Sequence, residues 1–217
     1  MAKNLKDIYV GVVKNDEKRN TNDLYPTPPI ATYVLCKYSN VPVNVVEPCA
    51  GRGNISVELE RNGHNVRNFD VSDYENSHSI ICVGQDAMEL PKQENFDGLV
   101  TNPPYFKDLP RKILEKSVEE YPYVAMFLRL TFLEGIKRNK TFSANPPTQI
   151  IVLSDRVRFK DGCIEEPLSR DDQLGGMIAY AWFIWDKSEQ NGKTKIDWVL
   201  LRDEYDEWHE NYERNQL

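Results

Sequence analysis

Short β-branched runs alternate with helix-spaced stretches along most of this 217-residue chain, and that alternation limits the fold more than any other feature. VPVNVVEP (41–48), HNVRNFDVSD (64–73), SIICVGQD (79–86), FDGLVTNP (96–103), YVAMFLRL (123–130), TQIIVLSD (148–155) and IAYAWFIWDK (178–187) read as strands. Helical spacing runs between them, through Ile55, Val57 and Leu59 of GRGNISVELERNG (51–63), through DLPRKILEKSVEEY (108–121) and through Thr131–Arg138. Pro110 falls in a first turn, where its missing N–H costs nothing. Strands alternating with helices predict an α/β fold with a parallel sheet and right-handed crossovers. GKTKIDWVLL (192–201) is a candidate further strand. The expected organisation is an N-terminal segment over 1–22, a single domain over 23–200 and an acidic tail over 201–217, with both ends disordered.

An apolar fraction of 40% and a charged fraction of 28% are those of an ordinary globular chain. No run reaches the length of about 18 apolar residues that spans a bilayer, and the first residues lack the apolar centre of a signal peptide. Cys36, Cys49, Cys82 and Cys163 form no CxxC pair and no disulfide framework, and three scattered histidines predict no metal site. A reducing, cytoplasmic setting is expected. The net charge of −7 argues at first against a nucleic-acid partner. Its distribution tempers that, because six carboxylates crowd into DEYDEWHENYER (203–214) while basic residues gather in PRKILEK (110–116), EGIKRNK (134–140) and DRVRFK (155–160).

Ligands of open α/β sheets sit beyond the carboxyl ends of the strands. Four such ends carry distinctive residues. The first gives VVEPCAGRGN, where Gly51 and Gly53 let backbone approach a ligand, although a GxG pair also serves a plain tight turn into a helix. The second ends at Asp70, placed for ribose hydroxyls or for capping a turn. The third ends at Asp86, which fits a helix cap for AMEL equally well. The fourth ends in LVTNPPYF (99–106), where Pro103 and Pro104 cannot continue a central strand.

Together these residues resemble the S-adenosylmethionine-dependent amino-methyltransferases of the DNA adenine-N6 group, in a compact phage-type form. EPCAGRG matches that family's glycine-rich cofactor motif, and TNPPYF matches its catalytic Asn-Pro-Pro-Tyr motif. YPTPP (25–29) matches the upstream motif that closes over the cofactor's methionine end. The resemblance covers roughly residues 24–187 and keeps the motif order of one branch of the family. It implies a Rossmann-like class I methyltransferase fold: a seven-stranded, mostly parallel sheet with a final antiparallel strand and helices on both faces.

It also implies roles. S-adenosylmethionine is the expected cofactor, with Tyr25, Thr27, Pro28, Glu47, Pro48, Ala50, Gly51, Gly53, Asp70, Asp86 and Asn102 as its binding set. Asp70 takes the ribose, or Asp73 if the second strand runs longer, and Asp86 takes the adenine amino group. The catalytic set is Asn102, Pro103, Pro104 and Tyr105. The Asn102 side-chain oxygen and the Pro103 carbonyl accept the two N–H groups of an exocyclic amine, and the prolines hold that loop rigid. Tyr105 stacks on a base swung out of double-stranded DNA, and Phe106 closes the pocket. Arg156, Arg158 and Lys160 are candidate phosphate contacts. No metal and no covalent intermediate are needed. Cys49 reads as a small packing residue, and Trp182 and Trp185 as fillers of a sheet face.

The stretch from Asp86 to Asn102 leaves no space for a separate target-recognition region, and only the short acidic tail follows Lys187. Sequence recognition is therefore expected from short loops or from a protein partner. The same loop holds the nitrogen of adenine N6, of cytosine N4, of RNA bases or of a protein glutamine amide. A catalytically silent binding module would have no need of intact Gly51, Gly53, Asp70 and Asn102–Tyr105.

Overall fold

A computed structural model describes residues 24–74, 77, 80–159 and 169–214. Lys160, Cys163 and the 1–22 segment lie outside the described residues.

Pro29 opens helix α1 (Pro29–Tyr38), a helix that the strand-and-helix pattern leaves unassigned. Strand β1 (Asn44–Glu47) follows, then α2 (Asn54–Arg61), β2 (Asn65–Asp70), β3 (Ile81–Val83), β4 (Gly98–Thr101), α3 (Leu109–Glu120) and β5 (Tyr123–Arg129). A 3₁₀ turn (Leu130–Leu133) leads into α4 (Ile136–Ala144), followed by β6 (Gln149–Leu153), the single-turn α5 (Arg170–Gln173), β7 (Tyr180–Asp186), β8 (Lys195–Val199) and α6 (Leu201–Arg214).

The strands make one sheet in the order β3-β2-β1-β4-β5-β7-β6-β8. Every pairing is parallel except those of β7, which runs antiparallel to both β5 and β6. Strand order reverses between β1 and β4, the switch point where such sheets bind ligands. The expected α/β architecture is present with one addition. Among the described residues the sheet has eight strands, because GKTKIDWVLL supplies β8 at the edge, and the antiparallel strand lies inside the sheet.

Alternate residues of β5 serve two cores. Tyr123, Ala125 and Phe127 pack with α1, α2 and α6, whereas Val124, Met126 and Leu128 pack with α3. Both faces are covered, which is why the central strands read as unbroken apolar runs. Trp182 and Trp185 are buried, one on each face, as fillers. Among the described residues no helix is long and apolar enough to cross a membrane.

Three local expectations are corrected. The acidic segment after residue 200 is helix α6 and packs on α1 and α2. Leu201, Trp208 and Tyr212 recur at helical spacing and are buried, and of the helix's carboxylates Glu204 is buried beside them, accepting from Lys37 and Tyr38 of α1. The helix expected over Thr131–Arg138 is broken at Gly135, whose φ of +110° no helix admits, and α4 extends to Ala144. The third strand keeps only Ile81–Val83 before Gly84 turns the chain at φ +81°.

Candidate active site

The glycine turn between β1 and α2 is built around Asp70. Gly51 donates its N–H to Asp70 Oδ2 at 2.8 Å, and Ser72 N–H donates to Oδ1 at 2.9 Å. Burial pushes the Asp70 carboxyl up, and these N–H groups pull it back toward ionisation. Gly51 holds φ +56°, and a Cβ there would come within 2.8 Å of Leu24 Cδ1, so the upstream segment rests directly on the turn. Glu47 is buried beneath it. The Ser56 hydroxyl lies between Glu47 Oε2 and Asn68 Oδ1, with one proton for two acceptors. Burial holds the Glu47 carboxyl well above its usual range, against the pull of the Ser56 hydrogen bond.

At the end of β4, Asn102 is held by the upstream motif. Its Nδ2 donates to the Tyr25 carbonyl at 3.0 Å and to Thr27 Oγ1 at 2.9 Å. Both amide hydrogens are consumed, which fixes Oδ1 as the opposite, accepting end of the group. Oδ1 meets the Tyr105 hydroxyl at 2.5 Å, and that hydroxyl also lies 2.9 Å from the Phe127 carbonyl. The Tyr105 ring stands between Tyr25 and Tyr180, at centroid distances of 6.2 and 5.9 Å, with the Arg129 guanidinium 4.8 Å from its centre.

Glycine turn, Asp70, upstream segment and Asn102 loop enclose one cleft of about 150 Å³. Of the sequence-predicted residues, Tyr25, Thr27, Glu47, Pro48, Ala50, Gly51, Asp70, Asp86, Asn102, Pro103, Pro104 and Tyr105 line it. Asp86 also accepts the Met88 N–H at 2.8 Å, so the capping role coexists with the lining role. Pro28 and Gly53 lie outside the lining: the Pro28 carbonyl accepts the Ala31 N–H at the start of α1, and Gly53 caps α2 at φ +86°. Asp73 is also outside it, and Phe106 is half-exposed at the surface. Arg158 lines a neighbouring cleft with Tyr25, Arg129, Phe159 and Tyr180, while Arg156 donates to the Met177 carbonyl at 3.2 Å. Burial pushes the Cys49 thiol up, which suits a packing residue and not a nucleophile.

Leu24, Tyr74 and Arg129 were not singled out from the sequence. Only Arg129 had a signal there: it is the one charge in the apolar run YVAMFLRL.

The fold recurs in known proteins. A class I S-adenosylmethionine-dependent methyltransferase, so assigned, from Listeria monocytogenes superposes with a TM-score of 0.55 at 11% identity, over 89% of this chain and 72% of its own. A protein from Vibrio vulnificus YJ016, assigned as the modification subunit of a type I restriction enzyme, gives 0.52 at 13%, over 95% of this chain and 55% of its own. The chain has the class I methyltransferase fold. In sequence, the release factor glutamine methyltransferase of Leptospira interrogans is 29% identical over 102 residues, 39% of this chain. That match spans about a third of the relative's length, 36%. No family model matches the chain.

Proposed function

We propose that this protein transfers a methyl group from S-adenosylmethionine to the exocyclic amino group of a nucleic-acid base, adenine N6 in DNA being the target. One observation carries the reading: the Asn102 amide is clamped by Tyr25 and Thr27 so that its oxygen faces away from them, in the lining of the cleft shared with the glycine turn and Asp70. An amine conjugated to a ring is a poor nucleophile because its lone pair is delocalised. Two rigid acceptors, Asn102 Oδ1 and the Pro103 carbonyl, draw both N–H groups out of the ring plane and leave the lone pair to point at an electrophile.

The cofactor supplies that electrophile, a methyl group on a sulfonium sulfur. The residues fit it. Gly51 lines the cleft with backbone alone, Asp70 and Asp86 present carboxylates for hydroxyl and amino donors, and Tyr25 to Thr27 complete the lining. The restriction-modification neighbour supports a DNA target.

A second reading is favoured by the release factor glutamine methyltransferase match: a glutamine side-chain amide offers the same pair of N–H donors. Incubation with radiolabelled cofactor and double-stranded DNA, single-stranded DNA, RNA and a glutamine-containing peptide separates the two. The expected outcome is label in N6-methyladenine from duplex DNA, lost by about a hundredfold or more in Asn102→Ala with cofactor binding kept. Label only in the peptide moves the assignment to glutamine. Label in no acceptor overturns both.

A further inference from the structure

We infer that the loop from β5 to α4 is a docking wedge for duplex DNA, a claim that rests on the proposed nucleic-acid substrate. Parallel β4 and β5 end on the same edge of the sheet, so the segment after Arg129 lies beside the Asn102 loop. There Ile136, the first residue of α4, is 89% exposed, and Leu133 is 49% exposed. Neither contributes to the core at that exposure.

Cations surround them. Lys107, Ile136, Lys137 and Arg138 line one shallow cleft, and Lys140 shares the helical face of Ile136 at four residues' spacing. The Arg138 guanidinium lies over the Phe132 ring, 5.0 Å from its centre, and the Lys107 ammonium sits 4.6 Å from the centre of the half-exposed Phe106 ring. Three carboxylates are near. Asp108 and Glu115 hold Arg111 at 2.5 and 2.6 Å, and Lys137 reaches Asp108 at 3.9 Å, which leaves Glu134 against the remaining cations.

Two features make this arrangement unfavourable for the fold alone. Lys137 and Arg138 occupy the first turn of α4, where the helix dipole disfavours cations, and that turn carries no acidic residue. Lys107 holds a left-handed φ of +49°, a strained position for a side chain other than glycine. In a chain of net charge −7, cations gathered against the local electrostatics are complementary to a phosphate backbone. Exposed aliphatics set among such cations are what proteins insert between base steps to unstack them. Lys107 of this cleft belongs to the loop that begins at Asn102, so the proposed wedge would meet the duplex beside the base bound there.

The test measures anisotropy of a labelled DNA duplex across a salt series, with S-adenosylhomocysteine present. Lys107→Gln with Lys137→Gln should lower affinity and reduce the salt slope by about 2, one for each phosphate no longer neutralised. Ile136→Ser should bind an intact duplex about tenfold more weakly, yet bind a duplex with a central mismatch like wild type, because that site is already unstacked. All three side chains are exposed, and calorimetry with the cofactor product checks that each variant is folded. If wild type methylates duplex DNA and the lysine variant keeps its affinity and slope, the docking surface is wrong and the proposed function stands. If Ile136→Ser treats both duplexes as wild type does, the wedge is wrong. If wild type neither binds nor methylates duplex DNA, both inferences fall.

Discussion

Asn102 Nδ2 reaches across 75 residues of sequence to Thr27 Oγ1, at 2.9 Å. This bond joins the upstream motif to the Asn-Pro-Pro-Tyr loop and decides which way the amide faces. Without it, Nδ2 keeps only the Tyr25 carbonyl, and rotation of the amide would turn a donor toward the incoming amine. Thr27→Val preserves shape and removes the acceptor, so it should cost about 1 kcal/mol of the bond's net worth and lower kcat by roughly tenfold. Methyl-transfer kinetics on the best acceptor check this. An unchanged kcat would mean that the clamp is not what orients Asn102.

Tyr105 has one hydroxyl proton and two acceptors, Asn102 Oδ1 at 2.5 Å and the Phe127 carbonyl at 2.9 Å. An amine arriving at Oδ1 displaces the phenol, which then serves Phe127. Tyr105→Phe keeps the ring between Tyr25 and Tyr180 and should leave methylation within about tenfold, while thermal unfolding reports a loss of about 1 kcal/mol for the orphaned carbonyl. Tyr105→Ala removes the ring and should lower the rate by about a hundredfold or more. Equal activity of the two variants would show that the ring does not shape the site.

Asp70 is a brace for the glycine turn as well as a candidate ribose contact, because both its oxygens accept backbone N–H groups. Asp70→Ala should therefore weaken S-adenosylhomocysteine by about 1–3 kcal/mol and loosen the turn in the free protein. Calorimetry gives the affinity, and amide exchange at Gly51 gives the loosening. Full affinity in the variant would remove Asp70 from the cofactor site.

The α/β order was legible because strands buried on both faces must be apolar throughout, and each of the seven strand runs named from the sequence contains a strand of the sheet. Most of the cleft was legible for a related reason: glycines, prolines and an asparagine at strand ends have few structural uses. Helix α6 was not. Six carboxylates hid a stripe formed by Leu201, Trp208 and Tyr212, since an amphipathic helix on a molecule's outside keeps only one face apolar. The Asn102–Thr27 bond depends on a contact between segments far apart in sequence, which no local pattern encodes.

The same helix sets up a pH dependence away from the cleft. Trp208 of α6 is buried and donates its Nε1–H to Glu58 Oε1 of α2 at 3.2 Å. Arg61 stands 3.5 Å from the other oxygen, and Asn62 adds a further donor. Burial outweighs these partners and lifts the Glu58 carboxyl from its ordinary 4.5 to about 7. Between those values the folded protein keeps a proton that the unfolded chain has released. Stability from this group is therefore complete below pH 4.5 and is lost as pH rises through about 7, a total on the order of 3 kcal/mol. Glu58→Gln mimics the protonated acid at every pH. Its urea stability should match wild type near pH 4 and exceed it progressively toward pH 8. Glu47 and Asp70 titrate in both proteins, so they cancel in the difference. Parallel stability curves for the two proteins across that range would show that Glu58 is ionised and well compensated beneath α6.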